Sequence, residues 1–294
     1  MITLPRRALL ATALLPFAAK AAGPLQAVAS FTVLADFVRI VGGDGVAVTS
    51  LVPPDGDPHS FQPRPSDLAR LQGAALMAEN GLGLEGWLGR LVQASGFRGV
   101  TCLASAGITP RRMVEDGRQV PDPHIWQDPQ LAIRMVQAVA AAFATADPAG
   151  ADGYKGRADA LVRQIQSLDQ EVAAGFAPIP PERRRIITTH DAFGYYGARY
   201  GIKFDAPLGI STEGEPSPRG LARLAEQIKR TGIRVVFLEN MANPAIAEAL
   251  AREAGVQVGP KLYSDSLSPP GGPATTYLDM IRYNTAQFVR VMVS

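Results

Sequence analysis

The sequence predicts an α/β fold of two lobes, each a mainly parallel sheet flanked by helices, joined by one long rigid helix. Three observations predict it. Short apolar runs alternate with helix-like stretches in both halves of the 294-residue chain, the pattern of parallel βαβ units. Between the halves, the stretch from Ala149 to Phe176 contains no proline and places Leu161, Ile165, Leu168 and Val172 on one helical stripe. Pro178, Pro180 and Pro181 then end that helix. At 1.5 Å per residue the helix reaches about 40 Å, a stiff connector and not a loose linker.

The elements follow in order. Gln26–Ala29 is a strand and Thr32 to Val41 a helix, followed by a turn over residues 42–45. Val46–Val52 is β-branched and apolar, a buried strand. Ser66, after Pro65, is the expected N-cap of a helix with Leu68 and Leu71 on one face. Ala74–Ala78 is a further strand, and Pro129 to Thr145 a helix rich in Ala, Val and Met. In the second half, Arg185–Thr189, Arg234–Glu239 and Val256–Tyr263 are expected strands, with helices at Pro218–Arg230 and Pro244–Ala254. The organisation expected is a signal peptide over 1–22, a first lobe over 23–147, the connecting helix over 148–177 and a second lobe over 178–294.

The N-terminus has the form of an export signal. Arg6-Arg7 is a basic start, Ala8 to Ala19 a short apolar stretch, and Ala19-Lys20-Ala21 and Ala21-Ala22-Gly23 are small-residue cleavage sites. Cleavage is expected near residues 21–22, giving a periplasmic protein. The alternative is an N-terminal membrane anchor. Without Arg6, Arg7 and Lys20 the chain carries 26 basic against 27 acidic residues, a near-neutral balance that gives nucleic acid nothing to bind. Cys102 is the only cysteine, so no disulfide forms within the chain; a small buried hydrophobe is its expected role.

The chain has three histidines, His59, His124 and His190. The tripeptide Asp-Pro-His occurs twice, ending at His59 and at His124, and His190 directly follows the strand Ile186–Thr189. In open α/β sheets, loops beyond strand C-termini bind ligands. His59 and His190 fit that rule; no confident strand precedes His124. Separations of 65 and 66 residues are far too long for a zinc finger or a helical metalloprotease motif, so a site built from these histidines has to be assembled by the tertiary fold. Imidazole suits zinc and other late first-row metals, and three nitrogens call for a fourth ligand. Asp265, at the end of the last expected strand, is the first candidate and Glu239 the second. Asp57, Asp122 and Asp191 neighbour the histidines and are candidates for orienting the imidazoles.

Six stretches carry a resemblance to a known family: DPHSFQPRPSD from Asp57, DPHIWQDP from Asp122, THDAFGYYGARYGI from Thr189, EPSPRGLARLAEQIK from Glu215, VVFLEN from Val235 and YSDSLS from Tyr263. The chain resembles the cluster A-I solute-binding proteins, metal-binding receptors of ABC importers for zinc and manganese, over about Val28 to Met292. The resemblance implies two α/β lobes joined by a backbone helix with the metal between them. It places His59 and His124 on the first lobe and His190 and Asp265 on the second. Manganese members usually have glutamate at the position of His190, so histidine there resembles the zinc branch. Many zinc members carry a His-rich loop before the second ligand; here that stretch is Arg111 to Arg118, with no histidine.

The function implied is capture without catalysis. A monomeric periplasmic receptor binds a divalent transition metal, Zn(2+) first and Mn(2+) or Fe(2+) as alternatives, and delivers it to an ABC permease in the inner membrane. Four protein ligands leave no open coordination position, which separates this site from a zinc hydrolase. Because the imidazoles have to be neutral, affinity is expected to fall steeply below about pH 6. The competing classes are an exported zinc hydrolase using Glu239 as base, a metal-dependent surface adhesin, and a receptor for an organic solute. Two tryptophans, Trp87 and Trp126, give little sign of an aromatic-lined pocket of the last kind; core packing is their plain role, and Trp126 is close enough to His124 to shield the site.

Overall fold

Strand β1 (Leu25–Ala29) leads into helix α1 (Thr32–Gly42), and the chain continues through β2 (Val46–Ser50), α2 (Pro65–Gln72), β3 (Leu76–Glu79), α3 (Leu88–Ser95) and β4 (Val100–Leu103). The four strands form one parallel sheet in the order β2-β1-β3-β4, with Ala27 paired to Val48 on one side and to Leu76 on the other. A hairpin of β5 (Arg112–Glu115) and β6 (Arg118–Pro121) follows, antiparallel and separate from the sheet. In this computed structural model the described residues are 23–115, 118–209, 212 and 217–293; the expected export signal over residues 1–22 lies outside them.

Helix α4 (Pro129–Ala146) begins on Asp128, whose carboxylate accepts the Gln130 N–H, with Pro129 at the first helical position. Helix α5 (Ala151–Phe176) is the long connector. Its 26 residues span about 39 Å. Leu161, Ile165, Leu168 and Val172 form its buried stripe, against α4, α1 and the final helix.

The second lobe repeats the plan with shorter strands: β7 (Arg185–Ile187), α6 (Gly194–Tyr200), β8 (Lys203–Asp205), α7 (Pro218–Thr231), β9 (Val235–Val236), α8 (Pro244–Ala254) and β10 (Gln257–Val258). Its parallel sheet runs in the order β10-β9-β7-β8. Helix α9 (Tyr277–Val293) then returns to α5 and α1. Buried Asp36 of α1 accepts the Tyr277 N–H at the start of α9, and Tyr277 Oη donates to the Trp126 carbonyl. The lobes therefore share one apolar core that runs from Phe31 and Trp126 through Ile165 and Phe176 to Phe193 and Phe288. A smaller core of Ile187, Leu224, Ile228, Val236, Ala247 and Leu250 lies within the second lobe.

Several boundaries differ from the sequence reading. Helix α2 is capped at Arg64, not Ser66: Pro65 is its first residue, and the Asp67 carboxylate accepts the Arg64 N–H. Strand β2 stops at Ser50, because Pro53 and Pro54 turn the chain. The expected strands over 234–239 and 256–263 are paired as strands only at β9 and β10, with one further bridge between Glu239 and Leu262. Gly259 and Pro260 interrupt the strand after β10, and the segment runs on to place the Ser264 carbonyl against Trp126 and Gln127 of the first lobe. Elements β4, α3, the hairpin, α6, β8 and α9 were not expected from the pattern. Cys102 is buried on β4, where burial, reinforced by Glu79, pushes its thiol up to about 12.

Ile165 sits at the middle of the α5 stripe with no solvent exposure. Truncating it to alanine in Ile165→Ala is expected to lower unfolding free energy by about 2–5 kcal/mol in urea titration, through lost transfer energy plus a residual cavity.

Candidate metal centre

Each of the four residues singled out by the sequence stands on a loop just beyond a strand. His59 lies on the proline-rich loop after β2. His190 follows β7 through Thr188 and Thr189, and Asp265 follows β10 and the Glu239–Leu262 bridge. His124 comes directly after β6, which explains why no parallel strand was found before it: its strand belongs to the hairpin.

The fold brings these four side chains together. His59 Nε2 lies 3.3 Å from His124 Nε2 and 3.3 Å from Asp265 Oδ2. His190 Nε2 lies 3.0 Å from Asp265 Oδ2, and His124 Nε2 lies 3.7 Å from Asp265 Oδ1. One donor atom from each residue falls within 4.8 Å of every other. A tetrahedron of donors about 2.0–2.1 Å from a central ion has edges of about 3.3–3.4 Å. His124, His190 and Asp265 are fully buried and His59 is 8% exposed.

This arrangement is poor as a hydrogen-bonding cluster and good as a cation cage. Neither oxygen of Asp265 has a hydrogen-bond donor of good geometry, although both are buried. Buried polar atoms are ordinarily paired. Here the Nε2 atoms of three imidazoles and the Asp265 carboxylate face one another across a common centre, which is what lone pairs do around an ion.

The far side of two imidazoles fixes their tautomer. His124 Nδ1 lies 2.9 Å from Asp122 Oδ1, the same oxygen that accepts the His124 backbone N–H. His190 Nδ1 lies 2.7 Å from Glu239 Oε2. The other Glu239 oxygen accepts the Thr189 N–H, the Thr189 hydroxyl and the His190 N–H. A carboxylate behind each ring holds hydrogen on Nδ1 and turns the Nε2 lone pair to the centre. Glu239 thus stands behind His190 and not among the four converging donors, although it was the second candidate for the fourth ligand.

The other neighbours divide. Asp57 orders the loop and not the ring: its carboxylate accepts the His59 N–H, the Ser60 hydroxyl and the Thr212 hydroxyl. Asp191 is half-buried and outside the donor cluster; burial and the nearby Asp122 charge raise its carboxyl above the usual range. Arg111, which the sequence did not single out, reaches Asp122 Oδ2 at 3.4 Å and lies over the Tyr195 ring. Gly194 leaves room for it: a Cβ there would stand 1.8 Å from the Arg111 guanidinium and displace it. Trp126 packs edge-on to His124, with ring centroids 5.3 Å apart, and its indole N–H donates to the Ser264 carbonyl beside Asp265. Gln127 donates to the same carbonyl.

Electrostatics follow from burial and pairing. Burial alone would push His124 down, but Asp265 and Asp122 outweigh it and hold its pKa up at about 9. Burial opposes charge on His190 as well, and Glu239 and Asp265 raise it well above the ordinary imidazole value. Burial would raise Asp265; His190 and His124 overcome that and hold it well below the usual carboxylate range. Without metal, the carboxylates around His124 and His190 favour a proton on each of those two rings.

Comparison with known proteins places this geometry. The profile of the family described as zinc-uptake complex component A, periplasmic, matches residues 27–291. The chain is 32% identical over 266 residues to the manganese-binding lipoprotein MntA of Bacillus subtilis (strain 168), covering 88% of this chain and 87% of that one. It is 31% identical over 258 residues to the iron-binding protein YfeA of Yersinia pestis, covering 87% and 82%. Among solved structures it is similar to the periplasmic zinc binding protein TroA from Treponema pallidum, with TM-score 0.87 and 28% identity over 92% of this chain and 99% of that one. The Mn-bound periplasmic metal binding protein from candidatus Liberibacter asiaticus gives a TM-score of 0.81 at 27% identity, over 91% and 99%.

The carboxylate behind His190 gives a direct test. In Glu239→Gln an amide N–H faces His190 Nδ1, so the imidazole has to carry its hydrogen on Nε2, where it blocks the inward lone pair. Affinity for a divalent transition metal is expected to fall about 10–100-fold by isothermal titration, with the chain still folded.

Proposed function

This chain belongs to the zinc-uptake complex component A periplasmic family, and we infer its function from that membership and from the site. It is a metal-binding, substrate-binding protein of an ABC importer, and it is not an enzyme. Its cargo is a divalent metal ion and its partner the membrane component of that importer.

Beyond this, we propose that His59, His124, His190 and Asp265 hold the ion and that the ion is zinc. The donor geometry carries the reading: His59 Nε2 to His124 Nε2 is 3.3 Å, the three imidazoles lie 3.0–3.7 Å from the Asp265 oxygens, and all four donors fall within 4.8 Å of one another, which suits bond lengths of about 2.0–2.1 Å. Three nitrogens also favour zinc over a hard ion such as manganese. Burial and a full set of protein donors support capture over chemistry. A hydrolase would need Glu239 free as a base beside an open metal position, and Glu239 is committed to Thr189 and His190.

A manganese or iron cargo is the second reading. Both Asp265 oxygens face the imidazoles, Oδ2 toward His59 and His190 and Oδ1 toward His124, which permits bidentate binding and a coordination number above four. Relatives described as manganese-binding and iron-binding support it too. We further propose that the mature protein is a periplasmic monomer, cleaved near residues 21–22, that delivers its ion to an inner-membrane permease. The export-signal pattern of Arg6 to Ala22 supports this placement.

Three measurements test the proposal. In competition titration, zinc is expected to displace manganese; manganese displacing zinc at equal concentration favours the second reading. His190→Ala is expected to weaken zinc binding by about 3 kcal/mol, roughly a hundredfold, as one of four ligands sharing the affinity of a structural site. Finally, the pH dependence extends higher than unperturbed imidazoles would give. His124 keeps its proton up to about 9 without metal, and His190 is raised as well. Metal has to displace those protons, so affinity falls as pH falls. The expected slope is tenfold or more per pH unit throughout pH 5–8, not only below about 6. Titration calorimetry in buffers of different ionisation enthalpy reads the protons released; a zinc affinity independent of pH over this range contradicts the reading.

A further inference from the structure

A cation inside this centre would be shielded from solvent by the loops around it, because three donors are fully buried and the fourth is nearly so. Something has to hold the loops shut while the ion is carried and let go when it leaves. Asn240 is placed to do this. It follows Glu239, the partner of His190, and its backbone N–H donates to the Leu262 carbonyl. Its side-chain amide donates 2.8 Å to Asp55 Oδ1 on the His59 loop and 3.2 Å to the carbonyl of Ser266, next to Asp265. One side chain of the second lobe therefore touches the loops that carry His59 and Asp265, and its own backbone adjoins the residue that orients His190.

The His59 loop is shaped to meet it. Asp55 takes φ +58, a left-handed conformation that aspartate tolerates and most residues avoid. Its backbone N–H crosses to the Leu267 carbonyl at 3.3 Å. The following Gly56 admits no side chain, since a Cβ there would lie 2.8 Å from the Pro53 carbonyl and from Val52. The turn thus commits backbone strain at the residue whose carboxylate reaches Asn240 of the second lobe. Strain of this kind persists where surrounding structure holds it and marks functional positions.

We propose that Asp55 and Asn240 form a clasp between the lobes that positions His59 against Asp265 and sets how long the metal stays bound. The clasp rests on the metal-site reading above. Neither residue is among the converging donors, so both are positioning residues. Breaking the clasp lets the His59 loop leave, and its effect falls on the dissociation rate.

The test is stopped-flow release of zinc from the loaded full-length protein into excess chelator. Asp55→Gly keeps the left-handed backbone and removes the acceptor; Asn240→Ala removes the donor. Each is expected to speed release at least tenfold, with association slowed less than threefold. The double variant is expected to be no faster than the faster single, because both remove one contact. Asp55→Asn keeps an acceptor oxygen and tolerates the same backbone while losing the charge, and is expected to release within threefold of the natural protein. Release from Asp55→Gly at the natural rate overturns the clasp. So does an Asp55→Asn protein as fast as Asp55→Gly, which would assign the effect to the attraction of a carboxylate for the cation. A natural protein that takes up neither zinc, manganese nor iron overturns the metal reading and the clasp with it.

Discussion

Asp265 lies with both oxygens out of reach of water, 3.0–3.7 Å from the Nε2 atoms of three imidazoles that come from both lobes. The rest of the structure answers to that contact. A buried carboxylate is tolerated only when opposite charge faces it. Without metal, protons on His124 and His190 supply that charge, and Asp122 and Glu239 behind the rings keep them there. On the proposed reading, a divalent ion held here would displace the protons of His124 and His190, about two charges for two, and leave the net charge of the pocket nearly unchanged. A low-dielectric interior penalises every uncompensated charge, and this pocket avoids creating one in either state.

The scaffold serves the same end. Parallel strands deliver His59 and His190 from the ends of β2 and β7, while the irregular chain beyond β10 curves back to bring Asp265 against Trp126 and Gln127 of the first lobe. Helix α5 would by itself be a single strut between lobes. Helix α9 makes the joint broader, packing on α5 and meeting Asp36 at its start. A continuous, close-packed core through that joint opposes relative motion of the lobes. With the lobes held in this way, a few side-chain hydrogen bonds across the cleft, such as that between Asn240 and Asp55, carry weight there.

How much of this was legible in the sequence depends on the range over which each signal acts. The buried stripe Leu161, Ile165, Leu168 and Val172 announced α5 because helical spacing is local. The repeated Asp-Pro-His and the strand before His190 announced the converging side chains because composition made the histidines few and their settings alike. The hairpin before His124 was missed, since its two four-residue strands lie in a polar, arginine-rich stretch whose sequence shows no apolar alternation. Strands β9 and β10, two residues each, are shorter than their apolar runs because pairing partners end, which a linear pattern does not register. Glu239 behind His190 is a long-range relation, and Asn240 is more so: nothing in Leu-Glu-Asn tells that its amide reaches across to Asp55.

The measurement closest to the central claim is the crystal structure of the zinc-loaded protein with anomalous diffraction recorded at the zinc edge. A single strong peak is expected within about 2.0–2.2 Å of His59 Nε2, His124 Nε2, His190 Nε2 and an Asp265 oxygen. A peak bound elsewhere on the chain, or one held by two or fewer of these side chains with water completing its shell, would contradict it.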